Sequence, residues 1–168
     1  MQEILNILQT MGEALRIPAS FVIIEFIGTF AFAISGIRLA SAKKFDWFGA
    51  YIVGMVTAIG GDVMLGLPPF WMTNSIYIIC CALALFYVIA FGKRIIRQNS
   101  TWFIFDAIGL ALFNIIGIEK TLNMDYPFWM AIIMGSITGA AGGVIRDVFI
   151  NEEPLIFRKD IYAIACVI

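Results

Sequence analysis

The sequence contains the same stretch twice. Residues 36–61 match residues 117–142 at a constant separation of 81 positions. After a gap the match resumes at a separation of 85 positions, which pairs Asp62 with Asp147. Each copy contains three apolar segments. A repeat with an odd number of membrane spans must place its second copy upside down in the bilayer, and inverted repeats are typical of transport proteins.

The composition identifies the class of protein. The chain is 61% hydrophobic and only 14% charged, with a mean hydropathy of +0.94, which is more apolar surface than a soluble domain of this size can bury. We therefore predict an all-α integral membrane protein built from two inverted three-helix repeats. The net charge is −1, and no basic face with interleaved aromatic residues is present, so the sequence does not indicate binding to nucleic acid.

Residues that support catalysis or metal binding are scarce. The chain has no histidine and three cysteines, and all three cysteines lie inside apolar segments, where thiols pack as small hydrophobic groups. The sequence has no metal-ligand spacing and no evident activated nucleophile. We predict that the protein is not an enzyme and holds no metal or cofactor.

The apolar segments define the organisation of the chain. Residues 1–18 suggest an interfacial helix, residues 19–92 hold the first repeat, and residues 101–168 hold the second. The first five spans each approach the ~20 residues that cross a bilayer. The sixth stops at Ile168 after about nine residues, so we expect the natural protein to continue.

Loop charge predicts the orientation, because basic residues favour cytoplasmic loops. Eight lie in loops that share one face, namely Arg38, Lys43, Lys44, Lys93, Arg94, Arg97, Arg158 and Lys159. Arg16 and Lys120 lie on the other face. We predict a multi-pass protein of the bacterial inner membrane with its N-terminus outside the cytoplasm.

Two glycine pairs occur at related positions of opposed spans. Gly60-Gly61 lies in the second span, and Gly142-Gly143 lies in the fifth. Non-helical backbone at membrane depth is tolerated where it lines a wet cavity, so we favour helices that are interrupted at these pairs and expose carbonyls to a pore. The alternative is that the small residues only permit close helix packing.

Charge follows each glycine pair. Arg146 and Asp147 lie near the end of the fifth span. Two interpretations are open: an ion pair at the membrane interface, or charged groups inside a pore. Since adjacent residues on a helix do not face each other, an Arg146–Asp147 contact would require a helix break. We expect Asp62, the counterpart of Asp147, to be the better-placed partner of Arg146.

Glu25 and Asp106 occupy equivalent positions near the start of two spans. Symmetric acidic residues are candidates to attract cations to the mouths of a pathway. Weaker candidates are polar residues that often bond to their own helix; these are Thr57, Thr138, Ser35 and Asn114.

Two motifs suggest a family. Gly142-Gly143-Val144-Ile145-Arg146-Asp147, partly repeated at Gly60-Gly61-Asp62, and Phe32-Ala33-Ile34-Ser35-Gly36 resemble the bacterial branch of the trimeric intracellular cation channel family, also labelled a glycine-transporter domain. The resemblance implies a seventh helix, a homotrimer in membrane lipid, and a pore for K⁺ and other monovalent cations in each subunit, between kinked second and fifth spans.

The first copy departs from this pattern, because it lacks the four residues that match Gly143 to Arg146. Either they are deleted, or the sequence skips a mobile segment at Gly61–Asp62, which we favour. Three functions stay open at this point. They are a passive K⁺ channel, a carrier for a small solute such as glycine, and a scaffold that transports nothing.

Overall fold

The computed structural model of this protein describes residues 19–64, 72, 75–96 and 101–158. Side chains at residues 61–64, which include Asp62, lie outside this description. So do the expected interfacial segment, residues 1–18, and the third helix of the second repeat from Asp160 onward.

The described part of the chain is helical. Its helices are α1 (Ala19–Ala42), α2 (Trp47–Met64), α3 (Ile76–Ile96), α4 (Thr101–Leu122), α5 (Phe128–Phe149) and the short α6 (Leu155–Arg158). α1 packs against α2, α3 and α4, while α5 packs against α4 and α2.

The same turn joins the first two helices of each repeat. Lys44 and its equivalent Asp125 both have left-handed backbone, with φ of 63° and 61°. The amide of Phe45 donates to the carbonyl of Ala40 at 3.1 Å, and the equivalent amide of Tyr126 donates to Thr121 at 3.4 Å. The repeat is therefore conserved in backbone geometry as well as in sequence.

Glycine contacts within the two repeats are also equivalent. A methyl group placed on Gly36 would lie 2.9 Å from the Cα of Gly54. A methyl group on the equivalent Gly117 would lie 2.9 Å from the Cα of Gly135. Each contact brings two helix backbones together where a side chain would separate them.

Contacts between the repeats are reciprocal. A Cβ on Gly28 would lie 3.0 Å from the ring of Phe113, and a Cβ on the equivalent Gly109 would press on the ring of Phe32, the equivalent of Phe113. The two rings stack with centroids 5.2 Å apart. Because residues 28 and 32 of α1 face residues 113 and 109 of α4, the helices cross antiparallel. A two-fold axis perpendicular to them relates the repeats, which confirms the predicted inverted architecture.

The surface of the bundle is apolar. One face of α3 exposes Ile79, Leu83 and Phe86 at helical spacing. Among the described residues, α1 from Phe21 and the whole of α5 are long and apolar enough to cross a membrane. α2 and α3 contain shorter apolar stretches.

Aromatic side chains mark the two ends of the bundle. Trp47 and Phe48 are exposed at the start of α2, and their equivalents Phe128 and Trp129 are exposed at the start of α5. Since the repeats are inverted, these pairs lie at opposite ends, as the aromatic belts of a membrane protein do.

The glycine pairs do not interrupt their helices. α2 is α-helical from Trp47 to Met64, and α5 is α-helical from Phe128 to Phe149. The expected breaks at Gly60-Gly61 and Gly142-Gly143 are therefore wrong in this structure. α2 is also helical across Gly61–Asp62 as the sequence stands, and the expectation of a skipped segment at this junction stays a prediction.

Close packing explains these glycines. A methyl group on Gly60 would lie 2.8 Å from the Cα of Gly142, and one on Gly142 would overlap the carbonyl oxygen of Thr57. The backbones of α2 and α5 thus touch at a glycine crossing, which we define as Gly60, Gly142 and Thr57. The alternative of small residues that permit packing fits this structure better than the predicted interruption.

The inverted topology predicts labelling from opposite sides of the membrane. Ala42 and Asn123 are exposed, equivalent residues at the ends of α1 and α4. We expect a membrane-impermeant maleimide to label Ala42→Cys in right-side-out or inside-out vesicles, but not both, and Asn123→Cys in the other preparation. Unsubstituted protein is the control, since Cys80 and Cys81 are buried. Labelling of both positions from one side would contradict the inversion.

The glycine crossing predicts a large effect of one methyl group. We expect Gly142→Ala to destabilise the protein by ~1–3 kcal/mol, the usual cost of overpacking, as a lower midpoint of thermal unfolding in detergent. Gly49→Ala is the matched control, because the added methyl would meet the flexible carboxylate of Asp46 rather than backbone. Equal midpoints for the two variants would show that the crossing is not tightly packed.

Candidate functional site

A fully buried arginine forms the centre of the candidate site. Nε of Arg146 donates to Oδ1 of Asp147 at 2.8 Å, and Nη2 lies 2.7 Å from the same oxygen. Nη1 donates to Oγ of Ser35 at 2.8 Å and also to Oδ1 of Asp106. We call these four residues the Arg146 cluster.

The cluster joins three helices. Arg146 lies in the last turn of α5, Asp106 in the second turn of α4, and Ser35 in the second half of α1. The hydroxyl of Ser35 also donates to Oδ1 of Asp106 at 3.4 Å. Because α1 and α4 are antiparallel, these parts of the three helices meet at the same end of the bundle.

The electrostatics of the cluster follow from its burial. All four residues of the cluster are buried. An isolated charge in such a place would carry a large desolvation cost. Arg146 is bound by carboxylates from two helices, and this arrangement offsets the desolvation of the guanidinium.

One prediction about Arg146 needs correction, and another stays a prediction. Arg146 contacts Asp147 although the helix between them is unbroken, because the long arginine side chain folds back to its neighbour. The partner found on another helix is Asp106, whereas Asp62 was expected and its side chain lies outside the described residues. Asp106 had been placed at a pore mouth. The sequence did contain a signal for this pair. Arg146 and Asp106 each lie a few residues from the same end of antiparallel spans, so they lie at a similar depth in the bundle.

Glu25, the equivalent of Asp106, is part of a second buried cluster. Oε1 of Glu25 lies 2.8 Å from Nζ of Lys120, and Oε2 accepts a 2.7 Å hydrogen bond from the hydroxyl of Tyr77. We call these three residues the Lys120 cluster. It lies at the opposite end of the bundle from Arg146, since it joins the start of α1 to the end of α4.

Both acidic candidates are thus ion-paired inside the bundle and are not placed at an open mouth. Glu25 and Asp106 are each fully buried. Lys120 and Tyr77 were missed as their neighbours: Lys120 was counted as a loop charge, but it lies within the last turn of α4. A lysine inside an apolar helix needs an acidic partner at its own depth, and Glu25 satisfies that condition.

The remaining candidates surround the helix crossings. The hydroxyl of Thr57 donates to the carbonyl of Val53 at 2.6 Å, which is the backbone bond expected for a helical threonine. Thr138 is buried against Gly117, and Asn114 packs against Gly135. Gly143 is buried in α5. Thr57, Thr138 and Asn114 thus pack against glycines where neighbouring helices cross.

Comparison with known proteins extends this description. The family model described as "Glycine transporter" matches residues 22–93 and 103–168. A UPF0126 membrane protein of Vibrio cholerae is 43% identical over an alignment of 158 residues that covers 87% of this chain and 64% of that protein. The UPF0126 inner membrane protein YadS of Escherichia coli is 37% identical over 86% of this chain and 73% of its own length. The chain thus spans less than two thirds of the Vibrio relative.

Solved structures share the fold. The trimeric intracellular cation channel orthologue from Rhodobacter sphaeroides superposes with a TM-score of 0.82 at 30% identity, over 89% of this chain and 80% of that one. A structure from a study of conductance through these channels gives a TM-score of 0.75 at 35% identity, over 88% and 75% of the two chains. The all-α membrane fold predicted from the sequence is therefore confirmed.

The geometry of the Arg146 cluster predicts a strong effect of one carboxylate. We expect Asp106→Asn to destabilise the protein by ~1.5–3 kcal/mol, because it removes a charged hydrogen-bond acceptor of the buried guanidinium while Asp147 still balances its charge. Asp125→Asn is the control, since Asp125 is exposed and asparagine tolerates its left-handed backbone. Denaturant unfolding in detergent measures both. If the two variants unfold alike, the Arg146–Asp106 pair does not stabilise the bundle.

Proposed function

Because this chain belongs to the bacterial branch of the trimeric intracellular cation channel family, we propose that it forms a passive channel for monovalent cations, K⁺ in particular. A location in the bacterial inner membrane is supported by the Escherichia coli relative, which is an inner membrane protein. The observation that carries the proposal is the Arg146 cluster, a buried group of charges beside the contact of α2 with α5. The similar solved structures are described as cation channels.

We propose that the pathway runs between α2 and α5, along Gly60-Gly61, Asp62, Gly142-Gly143 and the Arg146 cluster. The backbones of the two helices touch at the glycine crossing, so this arrangement corresponds to a closed channel. Opening then requires the helices to part there. Glycine favours such movement, because no side chains interlock at the contact.

Arg146 has to be neutralised for a cation to pass. Two unit charges of like sign at ~4 Å repel by about 4 kcal/mol at an effective dielectric constant of ~20. That energy would reduce K⁺ occupancy roughly a thousandfold, at a factor of ten for each 1.4 kcal/mol. The carboxylates of Asp106 and Asp147 contact the guanidinium and offset this barrier, so the proposed pathway keeps Arg146 paired or moves it aside as a gate.

The assembly and orientation belong to the same proposal. We propose a homotrimer with one pathway in each subunit, because the similar protein from Rhodobacter sphaeroides is a trimeric intracellular cation channel orthologue. The loop charges support an N-terminus outside the cytoplasm, which places the α1–α2 turn on the cytoplasmic face. The division into residues 19–92 and 101–168 follows the two arms of the inverted repeat. A small-solute carrier has no support from the similar structures.

Single-channel recording tests the proposal. We expect purified protein in a planar bilayer with asymmetric KCl to give unitary current steps and a reversal potential near that of K⁺. A carrier would instead give saturable flux without steps, and a scaffold would give neither. Absence of K⁺ current from folded, membrane-inserted protein would overturn the proposed function.

Substitution of the arginine tests its role. We expect Arg146→Ala to raise conductance or open probability, because the cation in the pathway is removed. Lys43→Ala is the control, since Lys43 is an exposed cation paired with Glu152 outside the cluster. Because Arg146→Ala also leaves two buried carboxylates without their cation, Arg146→Gln combined with Asp106→Asn is the second variant, since it removes one charge of each sign and keeps the net charge of the site unchanged. Unaltered current in both arginine variants would exclude Arg146 from the pathway.

A further inference from the structure

A cavity lies at the α4–α5 turn, at the opposite end of α5 from Arg146. Its volume is about 180 Å³. Its lining residues are Thr121, Met124, Tyr126, Met130 and Met134. Three of the eight methionines of the chain therefore face one small space.

The backbone brings these methionines together. Met130 and Met134 are four residues apart on α5, so their Cβ atoms lie about 5–6 Å from each other on one helix face. Met124 belongs to the preceding turn, where its amide donates to the carbonyl of Thr121 at 3.2 Å. The left-handed backbone of Asp125 reverses the chain between the two sets.

The methionines are not part of the packing that the two repeats share. The positions equivalent to Met124, Met130 and Met134 in the first repeat hold Lys43, Gly49 and Val53. The backbone turn is the same in both copies. The fold therefore does not require methionine at these three positions, and all three methionines occur in the second copy alone.

The chemistry of the lining selects a particular ligand. Thioether sulfur is a soft, uncharged donor that favours Cu(I) over hard cations such as K⁺ or Mg²⁺. The one hydroxyl of a threonine in the lining is already engaged, since Thr121 donates to the carbonyl of Gly117 at 2.7 Å. Flexible methionine side chains normally fill core gaps, yet here three of them surround a cavity.

We propose that Met124, Met130 and Met134 form a binding site for a soft monovalent metal ion, Cu(I) or Ag(I), coordinated by three thioether sulfurs. The site is separate from the proposed cation pathway and goes beyond that function. With the N-terminus outside the cytoplasm, it opens on the non-cytoplasmic face.

Silver nitrate is the probe, because Ag(I) has the soft character of Cu(I) and is not readily oxidised. The intact protein is labelled with methyl-¹³C methionine and titrated in a chloride-free detergent buffer. Each of the three cysteines of the chain is able to bind one Ag(I). The titration therefore continues beyond three equivalents. We expect three methyl resonances to shift together and saturate with one further equivalent, and Met→Leu substitutions to assign them to residues 124, 130 and 134.

Variants separate a metal site from an apolar cavity. Met130→Leu and Met134→Leu preserve the apolar volume but remove a sulfur, and we expect each to weaken Ag(I) binding by at least ~10-fold, the scale seen when even a supporting partner of a metal site is lost. Met55→Leu, at a half-buried methionine of α2, should bind as the unsubstituted protein does. K⁺ current should be unchanged in Met130→Leu and Met134→Leu.

Two results would overturn the site. One is a set of methyl shifts spread over methionines outside the cavity, or no shift after the thiols are saturated. The other is Ag(I) affinity in Met130→Leu and Met134→Leu equal to that of Met55→Leu. Either result would leave the proposed cation channel untouched, because planar-bilayer current reports that function independently.

Discussion

The burial of one guanidinium constrains the whole bundle. Arg146 lies inside a protein whose composition leaves few polar groups to receive it, and it binds Ser35 from α1 and Asp106 from α4 besides Asp147 on its own helix. A buried charge that loses its partner is far more costly than the same charge in water. The cluster therefore links the positions of α1, α4 and α5. The fourth helix, α2, packs against α5 where Gly60 meets Gly142.

Pseudo-symmetry governs the backbone but not the charges. Glu25 and Asp106 are equivalent, and each is buried and ion-paired. Their cations are not equivalent, since Lys120 belongs to α4 and Arg146 to α5. Both cations lie in the second repeat. The two ends of an otherwise symmetric bundle thus differ in electrostatic character.

Sequence reasoning predicted the architecture because the repeat is an internal alignment. The constant separation matched helix to helix, turn to turn and glycine to glycine, and Lys44 and Asp125 share their unusual backbone for the same reason. It wrongly predicted that Gly142 breaks α5, since glycine permits both a break and close packing and the outcome depends on the facing backbone of α2. It also did not find the Arg146–Asp106 and Lys120–Glu25 pairs, because the separation along the chain does not show which spans meet at equal depth.

The aromatic residues at the two ends of the bundle define the bilayer thickness that the bundle fits. Trp47 and Phe48 start α2, and Phe128 and Trp129 start α5, which has 22 residues and is about 33 Å long at 1.5 Å per residue. In a bilayer thinner than this, the helices must tilt to keep both belts at the interfaces. α2 and α5 run in opposite directions and cross at their glycines, so a change in tilt alters the angle at that crossing. Bilayer thickness is thereby coupled mechanically to the contact that closes the proposed pathway.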